Sequence, residues 1–476
     1  MTLQVGSRGV VVASQQAAAD AGAFALRHGG NAVDAAIATA LALTVVDPAN
    51  CGLGGYGGFL VVDSPRFAVP QCVHFNTTVP AAFDPRQLRQ APRIEPFVHG
   101  GASVSVPAVV PGLFAAHAAG ARLPMADLFA PAIALASQGY AVSADLARAL
   151  RWASSVHGSL SQAFQDLYFH DGRPCREGQS LRVEPVAEVL RLLARRGLAG
   201  WREGGLPDAI CSSVRGAGGA LELADLAGDG VRVEPAQTVE HQGVHVHGAD
   251  PTGSAFGVLA GALQALQPSR LGAARSAEYL RAVVDALAAA WKQRLAHWQP
   301  LVAPSQHTTH LCAADADGTL VACTFTHGPL WFGSALVAGD TGLLLNCGAN
   351  LYAADRRDGS VQPLTNLCPV FFREPDSTRH VVGSPGGHRI PAIVLQAIVD
   401  RVHYAADLEH TLALPRVSTS MAGEPECEAE LIDLLPGARR IDTAEYYGPA
   451  SAITCRSDGT LVAARDPRFG SGLARA

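Results

Sequence analysis

The chain has 476 residues, 48% of them hydrophobic and 16% charged, so it can bury a large core and length alone allows two or three domains. A formal net charge of -6, with a pI near 6.3, excludes the basic surface that nucleic acid or an anionic membrane would require. Small molecules are the expected partners, with no cofactor and no metal.

In chain order, Ser14 to His28 reads as a helix, after which "GGN" lets Asn31 cap a second, almost wholly apolar helix ending before Pro48. At twelve residues, the run "AAIATALALTVV" is too short to span a bilayer, and the N-terminus lacks the pattern of a secretory signal. Ten cysteines without a C-x-x-C pair fit buried thiols in a reducing compartment, so a cytoplasmic location is expected. Strands are predicted at Phe59–Asp63 and Gln71–Asn76, and residues 80–111 read as a long loop. Helices follow over about 112–153 and 185–227. "GVHVHG" (243–248) reads as a strand, leading to helices at about 254–266 and 276–297. Beyond His307 the segments "THLCAAD", "LVACTFT", "SALVAG", "GLLLN", "PVFFRE" and "HVVGS" read as strands, before a helix at about 388–403 and a mixed tail. Helices flanking packed strands imply a layered α/β architecture.

Chemistry concentrates around "TTHLCAADADGTLVACTFT". A three-residue turn at Ala316-Asp317-Gly318 pairs Asp315 with Thr319 and places Thr308 opposite Thr326, with Cβ atoms about 4.5–5.5 Å apart. A two-residue Asp-Gly turn would instead put His327 there. Threonine is an effective nucleophile when its own α-amine, titrating near about 7.7–8.0, is free to take the hydroxyl proton. An internal threonine needs a cut first, here between His307 and Thr308, by attack of the Thr308 hydroxyl on the His307 carbonyl. Thr326 could then hold the freed amine. The plain alternative is that both threonines are strand filler.

"GSPGGH" (383–388) leads from a strand into a helix and leaves the amides of Gly386 and Gly387 free to form an oxyanion hole, or only a tight turn. "GLGGYG" (52–57) matches a dinucleotide-binding pattern but follows a helix and precedes a strand, the wrong order for that use. His241, His245 and His247 lack a nearby acidic or sulfur ligand and read as strand residues.

Taken in order, "GGNAVDAAIATALALTVVDPANCGLGGYGGFLVV", the T-T-H block, "GLLLN", "GSPGGHRI" and the "DPR" tail resemble the γ-glutamyltranspeptidase family of N-terminal-nucleophile hydrolases over about residues 8–468. The resemblance implies a four-layer αββα sandwich cut into a large subunit, 1–307, and a small one, 308–476. It also implies Thr308 as nucleophile, Thr326 at its amine, and Gly386 and Gly387 as oxyanion donors. The recognition shell departs from the family pattern. Asn76 stands where an arginine grips the substrate carboxylate, Thr365 and Asn366 where a Ser-Ser pair helps it, and Asn350 or Leu351 where an acid binds the substrate amine. Gly328 replaces an asparagine. The expected activity is therefore an autoprocessed hydrolase or acyltransferase acting on an amide-like bond outside the ordinary γ-glutamyl class. The alternatives are a true glutathione hydrolase using Arg356, Arg357 or Arg389, a hydrolase of carbon–carbon bonds, and an inactive binding homologue.

Overall fold

A computed structural model describes residues 8–156, 160–228, 230–250, 252–302, 307–442 and 448–476. Thirteen strands form its two large sheets: β1 (Gly9–Ala13), β2 (Gly57–Asp63), β3 (Gln71–Phe75), β4 (Arg232–Pro235), β5 (Gln237–His241), β6 (Val244–Gly248), β7 (Thr309–Asp315), β8 (Leu320–Thr326), β9 (Val370–Arg373), β10 (Arg379–Gly383), β11 (Ser451–Cys455), β12 (Leu461–Arg465) and β13 (Gly472–Arg475). The first sheet runs β4-β3-β2-β8-β7-β1-β13 and the second β5-β6-β9-β10-β11-β12. All their pairings are antiparallel.

Side-chain alternation explains the stacking. Val10 and Val12 of β1, Cys312 and Ala314 of β7, and Ala322 of β8 pack with Phe371, Val381 and Ile453 of the second sheet. Their sequence neighbours Val11, Leu311, Ala313 and Val321 face the other way, into the core beneath α1 (Gln16–Arg27) and α2 (Ala32–Val46). The outer face of the second sheet is covered by α3 (Phe256–Ala265), α4 (Ala277–His297) and α5 (Ile390–Tyr404). The result is the αββα sandwich expected from the resemblance.

Every residue of α2 is buried, as its nearly unbroken apolar sequence requires. Its start is fixed by an Asn31–Asp34 capping box and by Asp315 at the end of β7, whose Oδ2 accepts from the Ala32 amide at 2.9 Å. Its far end, at Asp47, therefore falls beside the beginning of β7, where the two threonines lie.

One sequence expectation needs correction. "SALVAG" and "GLLLN" are not sheet strands; they form a folded-back loop with isolated bridges Val337↔Leu344 and Gly54↔Leu345, apolar because Leu343, Leu344 and Leu345 are buried in the helix-side core. The N-terminal segment, for which no element was predicted, contributes β1, which lies between β7 and β13. The helix-rich stretch expected over 112–153 contains several helices, among them Val109–Gly120, Ala130–Gln138 and Ala144–Val156. Among the described residues, no helix is long and apolar enough to cross a membrane.

Candidate active site

The β7–β8 hairpin pairs Thr309 with Phe325 through Ala314 with Leu320, and Asp315 donates to the Thr319 carbonyl at 3.1 Å. Gly318 takes φ 86°, the left-handed conformation that closes a three-residue turn. Continued one step outward, this register sets Thr308 against Thr326; the two-residue turn, with His327 opposite, does not occur. The Thr308 and Thr326 hydroxyls both donate to the His307 carbonyl oxygen, at 2.6 and 2.8 Å. The Thr326 hydroxyl is itself oriented by accepting from the Gly328 amide at 2.9 Å. Thr326 thus sits on the His307 carbonyl and not on an amine, since an internal Thr308 has no free α-amine.

Gly386 and Gly387 have φ of 137° and 60°, values that bar most side chains, and the turn opens α5 at the end of β10. Neither amide donates to a protein acceptor among the described residues. Gly386 shares a cavity of about 90 Å³ with Thr308, His307, Asp47, Arg148 and Trp331.

Beneath Thr308, on the opposite face of β7, the Thr309 hydroxyl lies 2.8 Å from Ser14 Oγ, which donates to Asp47 Oδ2 at 3.3 Å. Asn50 donates to the other Asp47 oxygen at 2.7 Å. Burial raises the Asp47 carboxyl to about 7, and Asp145 adds to the rise, while hydrogen bonds from Asn50 and Ser14 oppose it. Sequence reasoning did not single out Asp47; the signal available was a carboxylate at the end of an otherwise apolar helix in "TVVDPAN".

The predicted recognition residues lie outside the Thr308 cavity. Thr326 pairs with Gly57, and Gly58 with Phe75, so Asn76 ends the cross-strand row Thr308–Thr326–Gly57–Asn76, about 14 Å from Thr308 at ordinary strand spacing. Asn76 and Thr365 are buried beside the Tyr56 hydroxyl, and Arg294 donates to the carbonyls of Thr365 (2.9 Å) and Ser254 (2.6 Å). Burial lowers this guanidinium to about 10. Asn366 is buried next to Thr365. Asn350 is occupied on all sides: its Oδ1 accepts from the Val98 amide at 2.8 Å, and its Nδ2 donates to the carbonyls of Val98 (2.8 Å) and Cys347 (2.9 Å). None of these four residues lines the cavity containing Thr308. Gly328, at φ 115°, has Cys347 Sγ 2.8 Å from where a Cβ would sit, which accounts for the missing asparagine.

Of the arginines considered as substitutes, Arg389 pairs with buried Glu426 at 2.7 Å, Arg357 with Asp355, and Arg356 donates to the Leu295 carbonyl. His241 bonds the Leu263 carbonyl and His403, and His247 bonds Thr238. The "DPR" tail anchors an ion-pair knot in which Asp466 binds Arg416 at 2.6 Å and Arg468 at 2.8 Å.

The stacked sheets, with a threonine immediately before an inner strand and Gly386 lining the same cavity, have the fold of the N-terminal-nucleophile hydrolases. The gamma-glutamyltranspeptidase family model matches residues 18–303 and 296–475, and the chain belongs to that family of hydrolases and acyltransferases. It is 26% identical to the glutathione hydrolase proenzyme of Pseudomonas sp. strain A14, over 98% of this chain and 94% of that one. It is also 26% identical to the acylase ACY 1 proenzyme of Pseudomonas sp. strain V22, over 99% and 95%. Among solved structures, cephalosporin acylase from Bacillus halodurans shares the fold with a TM-score of 0.87 at 22% identity, covering 98% of this chain and 96% of that one. Helicobacter pylori gamma-glutamyltranspeptidase gives a TM-score of 0.56 at 26% identity, over 62% and 84%.

Proposed function

We propose that the chain cuts itself between His307 and Thr308 and then uses Thr308 to hydrolyse or transfer the acyl group of a small amide-like substrate outside the ordinary γ-glutamyl class. The observation that carries this reading is the convergence of two hydroxyls on one backbone carbonyl. The Thr308 oxygen adds to the His307 carbonyl carbon while Thr326 stabilises the charge developing on its oxygen. Collapse breaks the C–N bond, the hydroxyl proton passes to the Thr308 nitrogen, and an ester links His307 to Thr308. Water opens that ester, leaving a His307 carboxylate on chain 1–307 and a free α-amine on chain 308–476.

In turnover the α-amine takes the proton from its own hydroxyl as the oxygen attacks a substrate carbonyl, and the amides of Gly386 and Gly387 receive the oxyanion. The amine returns the proton to the leaving group, and water or an acceptor amine releases the acyl group from Thr308. The replaced recognition residues, with Asn350 locked onto Val98, support a substrate without a glutamyl head. Ten buried free cysteines support a reducing, cytoplasmic setting. The test is Thr308→Ala. It should leave a single 49.4 kDa chain with turnover reduced at least about 10³-fold, and cleavage with unchanged turnover would refute the reading.

A second reading, a true γ-glutamyl hydrolase or transferase, is favoured by one observation. Arg294 places a buried cation beside Thr365 and Tyr56, with its Nε unpartnered among the described residues. Release of p-nitroaniline from γ-glutamyl-p-nitroanilide by the processed protein would favour it, and inertness would remove it.

A further inference from the structure

In the uncut chain the His307 imidazole lies on the Trp331 indole, with ring centroids 4.7 Å apart and planes tilted by 32°. Trp152 meets Trp331 edge-on at 5.4 Å, and the Arg148 guanidinium sits 5.6 Å from the centre of the same indole. His307, Trp331 and Arg148 all line the cavity that holds Thr308. The carbonyl bearing this imidazole arm is the one that both threonine hydroxyls contact. In self-cleavage, His307 is therefore the acyl side of the bond that Thr308 attacks.

We propose that the slot occupied by the His307 ring becomes the acyl-group subsite of the processed enzyme, and that it selects acyl donors with a flat, uncharged ring separated from the reacting carbonyl by one or two saturated carbons. This rests on the self-cleavage reading above. The same oxygen attacks both the internal carbonyl and the substrate carbonyl, so the group attached to each must leave the nucleophile in a similar direction. Once the His307–Thr308 bond is cut, the imidazole is held as the end of chain 1–307 and by its stacking on Trp331, no longer by a bond to the nucleophile. Such a contact is readily displaced. The slot's charges act against ions of either sign: Arg148 faces the ring, while Asp145, 3.0 Å from Arg148, and Asp47 line the same cavity. Burial and the nearby Arg148 keep the imidazole itself uncharged, lowering it to about 3.

Two measurements decide the matter. In the full chain, His307→Phe should cleave itself within about threefold of the wild-type rate and His307→Ala about tenfold more slowly, because an aromatic contact positions the carbonyl. Equal rates for the two variants would overturn the proposal. In wild-type protein shown by intact mass to be cut, calorimetry should find benzyl methyl ketone bound at least fivefold more tightly than 2-heptanone, a chain analogue that also lacks a leaving group. Trp331→Phe should keep that ratio and Trp331→Leu should bring it near one. A ratio near one in cut wild-type protein overturns the subsite while leaving self-cleavage intact. A chain that never cuts defeats the self-cleavage reading itself. If Trp331→Leu does not fold or process, the His307 pair and the wild-type ketone ratio still decide.

Discussion

The reacting end of the site and its outer wall are built by different means. Thr308, one residue before β7, faces Thr326 at the end of β8, and the two strands are joined by a three-residue turn, so the threonines' separation is set by the ladder beside them. Asn76, Asn350, Thr365 and Asn366 come from three distant segments, and each is placed by packing against parts of the chain far away in sequence, such as Val98 for Asn350 and Gly253 for Thr365. A hairpin keeps its register while the surrounding wall changes. The chemistry of such a site can therefore persist through substitutions that alter its substrate.

The sharpest way to break this comparison is Thr326→Val, which keeps the strand-forming shape but removes the hydroxyl on the His307 carbonyl. Loss of one oxyanion donor should slow self-cleavage about 10²- to 10³-fold, measured as the rate at which the intact chain disappears on a denaturing gel. An unchanged rate would leave Thr326 a strand residue.

Asn350→Ala should reveal an architectural residue. Losing its hydrogen bonds to Val98 and Cys347, with buried backbone groups left unpaired, should reduce stability by about 2–4 kcal/mol in denaturant unfolding. A large change in KM at unchanged stability would restore it to substrate binding.

A pH-dependent effect belongs to Asp47. Its carboxyl titrates at about 7 in the folded chain against an ordinary 3.8, so between those values the native state holds a proton that the unfolded chain has released. Its contribution is fully present below about pH 4 and is lost as pH rises through 7, at up to about 1.4 kcal/mol per pH unit. Asp47→Asn should flatten that part of the stability profile; an unaltered slope would show that the carboxyl is ionised throughout.

What the sequence disclosed follows the same division. The position of Thr308 opposite Thr326 could be counted from Gly318 because side chains alternate with a period of two and the turn needs one left-handed residue. The start of α2 was marked by Asn31, whose capping box the structure contains. The loop 334–346 misled because burial, not strand pairing, makes it apolar. Asp47, Ser14 and Trp331 carried no local pattern, since their importance comes from α2 ending under β7 and from the His307 imidazole lying on the Trp331 indole. Arg294, on α4, reaches the neighbourhood of Asn76 only through the packing of helix against sheet.

The central claim, that peptide-bond scission creates the nucleophile, is tested most directly by the masses and N-terminal sequences of purified protein after incubation. The expected result is two chains, the smaller beginning Thr308-Thr309-His310. Active protein that remains one uncut chain would contradict it.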